Sequence, residues 1–431
     1  MKISIFWFRR DLRLKDNVGL HFALQGKNPV LPLFIFDEDI LEKLPRNDAR
    51  LTFIHETLEG INSELKKHNS SVHSRHGKPL EVWKKLTEEF DIETVFTNKD
   101  YEPYAVKRDR EISEFLAKKG IELSFHKDQV IFEENEVTKD DGKPYTVYTP
   151  YKNKWLKQFD KNMFKPLIDT DYSRFLNTES KLHSLAELGF KNSTIRVKKW
   201  TLEELKNYQI HRDFPAKDGT SYLSVHLRFG TVNPRQIIER LDPEDATFLS
   251  ELIWREFFMQ ILFHFPQVLT QSFRPKYDFI KWRNNQEEFK KWCAGETGYP
   301  MVDAGMRQLN ETGYMHNRVR MVVASFLCKH LLIDWRWGEA YFAEKLLDYD
   351  LSANNGNWQW SAGTGCDAAP YFRIFNPHEQ LKKFDKGLIY VRKWVKDFNE
   401  LTYAQPLVEH KAARERALKV YKEGLEIAAN A

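Results

Sequence analysis

The stretch ISIFWFRRDLRLKDNVGLHFALQGKNPVLPLFIF, residues 3–36, decides the fold class. It holds two apolar runs of strand length, Ile3–Phe8 and Val30–Phe36, separated by a span long enough for a helical crossover. The same rhythm continues outward. Ser71–His76, Thr94–Thr97 and Glu122–His126 read as further strands, and Ala49–Lys67 and Ala105–Lys119 read as helices. Within the first of these helices Leu51, Ile54, Leu58, Ile61 and Leu65 recur at helical spacing. Alternation of this kind predicts an α/β domain over residues 1–130, a Rossmann-like parallel sheet with helices on both faces. A nicotinamide dinucleotide site is a poor match for it. The turn after the first strand reads RRDLRLKDN, and no GxGxxG follows that strand to bring a backbone up to a pyrophosphate.

The pattern then changes. Residues 131–196 are polar, with isolated aromatics and no sustained period, as in DDGKPYTVYTPYKNKW, and read as a long interdomain linker. Beyond Trp200 strand signals fade. Helical segments follow at Ser221–Phe229, Pro234–Arg240, Ala246–Phe263, Glu287–Ala294, Pro300–Gly313, Val319–His330, Trp335–Leu346 and Glu379–Phe384, punctuated by Gly230, Pro266, Gly313 and Gly356. Residues 197–431 are expected to form an all-helical domain.

Composition sets outer bounds. A chain of 431 residues with 42% hydrophobic and 30% charged residues is ordinary for two or three globular domains, and 14% aromatics argues against uniform disorder. A net charge of +4 permits a nucleic-acid partner through a local basic patch without requiring one. Cys293, Cys328 and Cys366 form no CxxC pair, which argues against a zinc site or a disulfide framework and fits a reducing, cytoplasmic setting. No apolar run reaches the roughly 18 residues needed to span a bilayer. The start MKISIFWFRR is too short and too soon charged for a secretory signal.

The informative sequence is in the second half. TGYPMVDAGMRQL (297–309), MHNRVRM (315–321), LDYDLSANNGNWQW (347–360) and DAAPYFRIFNP (367–377) occur in that order, and FLSELIWREFF (248–258) and FWFRRDLRLKDN (6–17) precede them. Together they resemble the photolyase/cryptochrome family over nearly the whole chain, and most closely its class I cyclobutane pyrimidine dimer enzymes. The resemblance implies a noncovalent FAD in the helical domain and an α/β antenna domain ahead of it. It implies repair of dimers in DNA by an electron that reduced, light-excited flavin lends to the lesion, the cofactor carrying the hard chemistry.

The resemblance also assigns residues. Tyr208, Thr220, Ser221, Leu223, Ser224 and Arg255 match flavin contacts, and hydroxyls with free N–H groups at a helix start suit a pyrophosphate. Tyr222 departs from the arginine of some relatives. Arg320 matches a partner of Asp348 beside the isoalloxazine ring, Asp350 lies near the same ring, and Asn354 matches the residue facing flavin N5. Trp254 and Trp360 match aromatic walls for a dimer flipped out of the base stack. Glu251 and Asn317 match groups that bond the pyrimidine edges, and Met321 one that packs on the dimer. Arg318 and Arg373 are candidates for phosphate contact. Trp358, Trp335 and Trp282 match an electron-transfer chain. On spacing alone Trp254, Met321 and Trp360 would read as core, and Arg320–Asp348 as an ordinary buried pair.

Three subclasses compete. Enzymes for (6-4) photoproducts place histidine pairs at the lesion, whereas here His316 stands alone beside Asn317 and Met321. Cryptochrome photoreceptors often carry a long C-terminal tail, and this chain ends at Ala431; plant-type receptors place Asp where Asn354 stands. The expected activity is therefore cyclobutane-dimer repair by a monomer, with no metal. Tyr104 and Ala105 occupy the positions where some relatives hold a folate through an Asn–Glu pair, which argues against a folate antenna. A deazaflavin, a second flavin and no antenna are the remaining readings.

Overall fold

The computed structural model describes residues 1–167 and 171–431; residues 168–170 of the expected linker lie outside the described residues. The chain divides into two units. The first comprises residues 1–137, 154–200 and 222–252, and the second 138–153, 201–221 and 253–431.

The first unit is built on five parallel strands: β1 (Ile3–Phe8), β2 (Val30–Asp37), β3 (His73–Gly77), β4 (Ile92–Asn98) and β5 (Glu122–His126), in the order β3-β2-β1-β4-β5. The crossovers carry α1 (Val18–Gln25), α2 (Ala49–Lys66), α3 (Pro79–Glu89) and α4 (Pro103–Lys118). All six residues of β1 are buried, as a central strand covered on both faces requires. Ile5, Trp7, Leu33, Trp83, Leu86, Ile112 and Leu116 meet in one core cluster, with the rings of Trp7 and Trp83 edge to face at 5.5 Å. The observed strands fall on the expected ones to within one or two residues at most ends.

The turn after β1 shows what stands in place of a glycine fingerprint. Arg13 Nη2 donates to both oxygens of Asp128 at 2.6 Å, and Arg235 Nη2 donates to Asp16 Oδ1 at 2.8 Å. Asn233 Nδ2 reaches Asp128 Oδ1 at 3.0 Å, and the Asn17 side chain caps α1. Buried, mutually paired charge stands at this turn where a fingerprint would place glycines. Gly230, at φ 65°, is forced, because a Cβ there would lie 2.1 Å from the Arg10 carbonyl oxygen.

The stretch expected to be a plain linker has more structure than its polarity announces. It contains α5 (Tyr148–Gln158), whose Tyr148, Tyr151 and Trp155 are buried. Their i, i+3, i+7 spacing is helical but too sparse to stand out. Farther on, Leu176 N donates to the Val30 carbonyl, and Ser70 and Ser71 hydroxyls donate to the Leu176 and Thr178 carbonyls.

Helices follow: α6 (Leu205–His211), α7 (Leu223–Phe229), α8 (Pro234–Glu239), α9 (Ala246–His264), α10 (Gln286–Ala294), α11 (Pro300–Thr312), α12 (Asn317–Ser325), α13 (Trp335–Lys345), α14 (Leu351–Ala362), α15 (Pro377–Phe384), α16 (Ile389–Trp394) and α17 (His410–Asn430). The core of the second unit joins α11, α12, α13 and α14 through Met306, Val319, Val323, Phe342 and Trp358. Two expected helices are corrected. The segment expected at Ser221–Phe229 starts at Leu223, because Tyr222 sits in the left-handed region at φ 54°. The segment expected at Val319–His330 starts at Asn317 and is α-helical only to Ser325, passing into a π turn over Phe326–His330. No helix among the described residues is long and apolar enough to cross a membrane.

Candidate active site

A cavity of about 90 Å³ opens among α12, α13 and α14. Asn317, Arg320, Met321, Asp348, Asp350, Asn354, Trp358 and Trp360, eight of the residues singled out from sequence, line it, together with apolar Ala324, Phe342 and Leu346.

Local rules place each of them. His316 caps α12, its Nδ1 accepting from Arg318 N at 3.2 Å, and burial holds its imidazole down to about 4. Asn317, Arg320 and Met321 then stand at i, i+3 and i+4 on one face. Arg320 Nε donates to the Met315 carbonyl at 2.8 Å, and Nη2 donates to Asp348 at 2.9 and 3.1 Å. The Asp348 side chain is only 7% exposed. Asp350 caps α14 by accepting from Ala353 N and from the Ser352 hydroxyl. Asn354 Nδ2 donates to the Glu339 carbonyl at 3.0 Å, leaving its side-chain oxygen as an acceptor.

Two glycines let α14 sit where it does. A Cβ at Gly338 would lie 2.1 Å from the Trp358 ring, and one at Gly356 2.1 Å from the Phe258 ring. Behind the cavity Asn355 and Gln359 both donate to the Val268 carbonyl, at 3.0 and 3.1 Å, so the polar residues of this helix are bonded inside the protein. The donor set fits a flavin. Ala324, Phe342, Leu346 and Trp358 supply apolar wall, while Arg320, Asp348 and Asn354 supply charge and amide groups for a heterocycle edge.

The other expected residues lie outside this lining. Glu251, Trp254 and Arg255 are on α9 at i, i+3 and i+4. Trp254 stacks on Tyr148 with centroids 3.5 Å apart and planes 8° apart, and Tyr148 N donates to Asp367 at 3.0 Å. Tyr148 and Asp367 support Trp254 and were missed from sequence; the tyrosine stands in a polar stretch where nothing marked it. Tyr208 is on α6 with Arg212 over its ring at 5.4 Å. Thr220, Ser221, Leu223 and Ser224 flank the left-handed Tyr222, whose hydroxyl accepts from Lys198 at 2.7 Å. Arg373 is exposed on the loop before α15. Trp335 belongs, with the lining residue Trp358, to the core of the second unit, and Trp282 packs against it. Trp358 is 6.2 Å from Trp292 and 5.0 Å from Phe342 between ring centroids, and Trp282 meets Tyr421 at 5.9 Å.

Residues 4–168 match the family described as DNA photolyase, and residues 248–402 match the FAD binding domain of DNA photolyase. A deoxyribodipyrimidine photo-lyase of Agrobacterium fabrum is 35% identical, with 97% of each chain covered. The chain is similar to a class III photolyase structure from Agrobacterium tumefaciens, with a TM-score of 0.89 and 34% identity over 99% of this chain and 98% of that one. A Sulfolobus tokodaii photolyase structure holding two FAD molecules gives a TM-score of 0.86 at 34% identity, over 98% and 100%. With the sheet and the helices each matched within one family, and the likeness running nearly end to end, the chain belongs to the DNA photolyase family and has the activity of a deoxyribodipyrimidine photo-lyase.

Proposed function

We propose that light-dependent repair of cyclobutane pyrimidine dimers in DNA runs through the cavity among α12, α13 and α14. The observation that carries this reading is the convergence there of Asn317, Met321 and Trp360 with Arg320, Asp348 and Asn354. Reduced FAD, when held here, would supply the photoexcited electron for opening the dimer. Arg320, held by Asp348 and the Met315 carbonyl, presents fixed positive charge to the flavin ring. Asn354, tied through its amide nitrogen to Glu339, offers an oxygen to a protonated ring nitrogen. Tyr208, Thr220, Ser221, Leu223, Ser224, Arg255 and Asp350 complete the flavin contacts.

Trp254 and Trp360 wall the lesion, Glu251 and Asn317 bond its edges, and Met321 packs on it. Arg318 and Arg373 bind backbone phosphate. Trp358, Trp335 and Trp282 would form the path by which electrons reach a bound flavin. Residues 1–130 serve as the antenna domain, 131–196 as the linker and 197–431 as the flavin domain. The protein acts as a cytoplasmic monomer; the two FAD molecules of the Sulfolobus relative favour a second flavin over folate as antenna here.

The test is repair by the fully reduced protein. Blue light should restore dimer-containing oligonucleotides, and the same mixture kept dark should not. Stoichiometric FAD without repair under light would favour a signalling photoreceptor, and repair confined to (6-4) products would move the chain to that subclass.

A further inference from the structure

Arg318 is not a free cation. Its Nη2 donates to Asp213 Oδ1 at 2.7 Å, its guanidinium lies over the Phe384 ring at 4.3 Å, and its Nη1 points at Met321 Sδ at 3.8 Å. The arginine side chain is 18% exposed and the carboxylate 40% exposed. Asp213 comes from the turn after α6, outside the matched flavin-binding stretch of residues 248–402. Phe384 meets Phe214, the neighbour of Asp213, edge to face at 6.2 Å. The pair is therefore held from both sides, next to two residues that line the cavity, Asn317 and Met321.

A guanidinium can serve one carboxylate or one phosphate with this edge, and the two compete. We infer that Asp213 is a latch on Arg318: it neutralises the arginine in the free protein and is displaced when a DNA phosphate beside the lesion takes its place. This rests on the proposed phosphate role of Arg318. The half-exposed side of the pair is the carboxylate, so water can receive it when the pair opens, while Phe384 keeps the guanidinium plane where it is. The exchange has an ionic signature. An arginine that binds phosphate from a bare state lets one condensed counterion leave the DNA. In the wild-type protein salt also screens the Arg318–Asp213 pair that competes with the phosphate, which offsets part of that dependence.

Asp213→Asn keeps the shape and removes the charge. Affinity for a dimer-containing oligonucleotide should rise about two- to fivefold at low salt, the range of one half-exposed ion pair. The slope of log K against log salt should steepen by a fraction of the roughly 0.9 that one phosphate contact carries. Flavin content and repair yield per bound lesion should stay at the wild-type level, and Asp213→Ser, a second uncharged variant, should repeat the result. Arg318→Gln should weaken binding, and in the double variant Asp213→Asn/Arg318→Gln the gain should vanish.

Unchanged or weaker binding by both Asp213 variants, with Arg318→Gln still defective, overturns the latch alone. A gain that persists in the double variant shows that Asp213 acts by general charge and also overturns it. Wild-type binding by Arg318→Gln removes the phosphate role itself, and the latch with it.

Discussion

At the residue scale the site depends on atoms that are missing as much as on those present. Gly338 leaves room for Trp358, and a methyl group there would stand 2.1 Å from the ring. Gly338→Ala should cost about 1–3 kcal/mol through overpacking. It should also displace Trp358, so flavin absorbance should shift or fall along with the melting temperature. A variant that keeps a wild-type flavin spectrum would show that the ring has space to retreat. Glu251 and Trp254 share α9 but should separate kinetically. Glu251→Ala should lower repair per absorbed photon more than it weakens binding, because the carboxyl proposed to meet the pyrimidine edge would act where charge develops. Trp254→Ala should do the reverse, removing a stacking wall worth about 1–3 kcal/mol per base. Yield and dissociation constant measured on both variants at one salt concentration decide it; a Glu251→Ala protein that loses only affinity makes the carboxyl a binding group.

At the element scale, strands and amphipathic helices were legible because burial on one face writes a period into the sequence. β1 and β5 carry the same bounds in the sequence reading and in the structure. α14 was not legible as a helix. Its buried residues include Ser352, which bonds the helix's own cap Asp350, and Asn354, Asn355 and Gln359, which bond neighbouring elements or border the cavity, so polarity does not alternate with exposure. The chemistry of that segment was visible only as a resemblance. The same holds for the tryptophans. Trp335 and Trp358 are core by burial, and nothing in their spacing distinguishes a wire from packing. Trp282→Phe separates the two. It should leave repair by fully reduced protein near wild type while slowing photoreduction of oxidised flavin. Equal loss of both would make Trp282 structural.

At the scale of the whole molecule, buried and half-buried histidines tie stability to pH. Burial pushes His73 and His316 down to about 4 and His330 down to about 3, from an ordinary 6.5. His330 is also hydrogen-bonded to His410 at 2.9 Å, a contact that two imidazolium rings cannot make. Each ring is neutral in the folded protein and free to protonate when unfolded. Their stabilising contribution is complete above about 6.5 and is lost as pH falls towards 4, since the unfolded chain binds more protons in that window. The melting temperature should drop steadily between pH 7 and pH 4.5, and His330→Asn should flatten the drop. A melting temperature level across that range would contradict the burial assigned to these rings.

The π turn over Phe326–His330 has a genetic consequence. A π turn carries one residue more than the α-helical turn it replaces. Losing a single codon in that segment would draw the turn into regular α-helical form. Every residue before the deletion would, however, swing by about 100° against those after it. Asn317, Arg320 and Met321 would rotate off the face they share with α14. Val319 and Val323 would leave the core with them, so such a deletion should strip away chromophore and scaffold together, a lesion in heredity that no neighbouring helix can absorb.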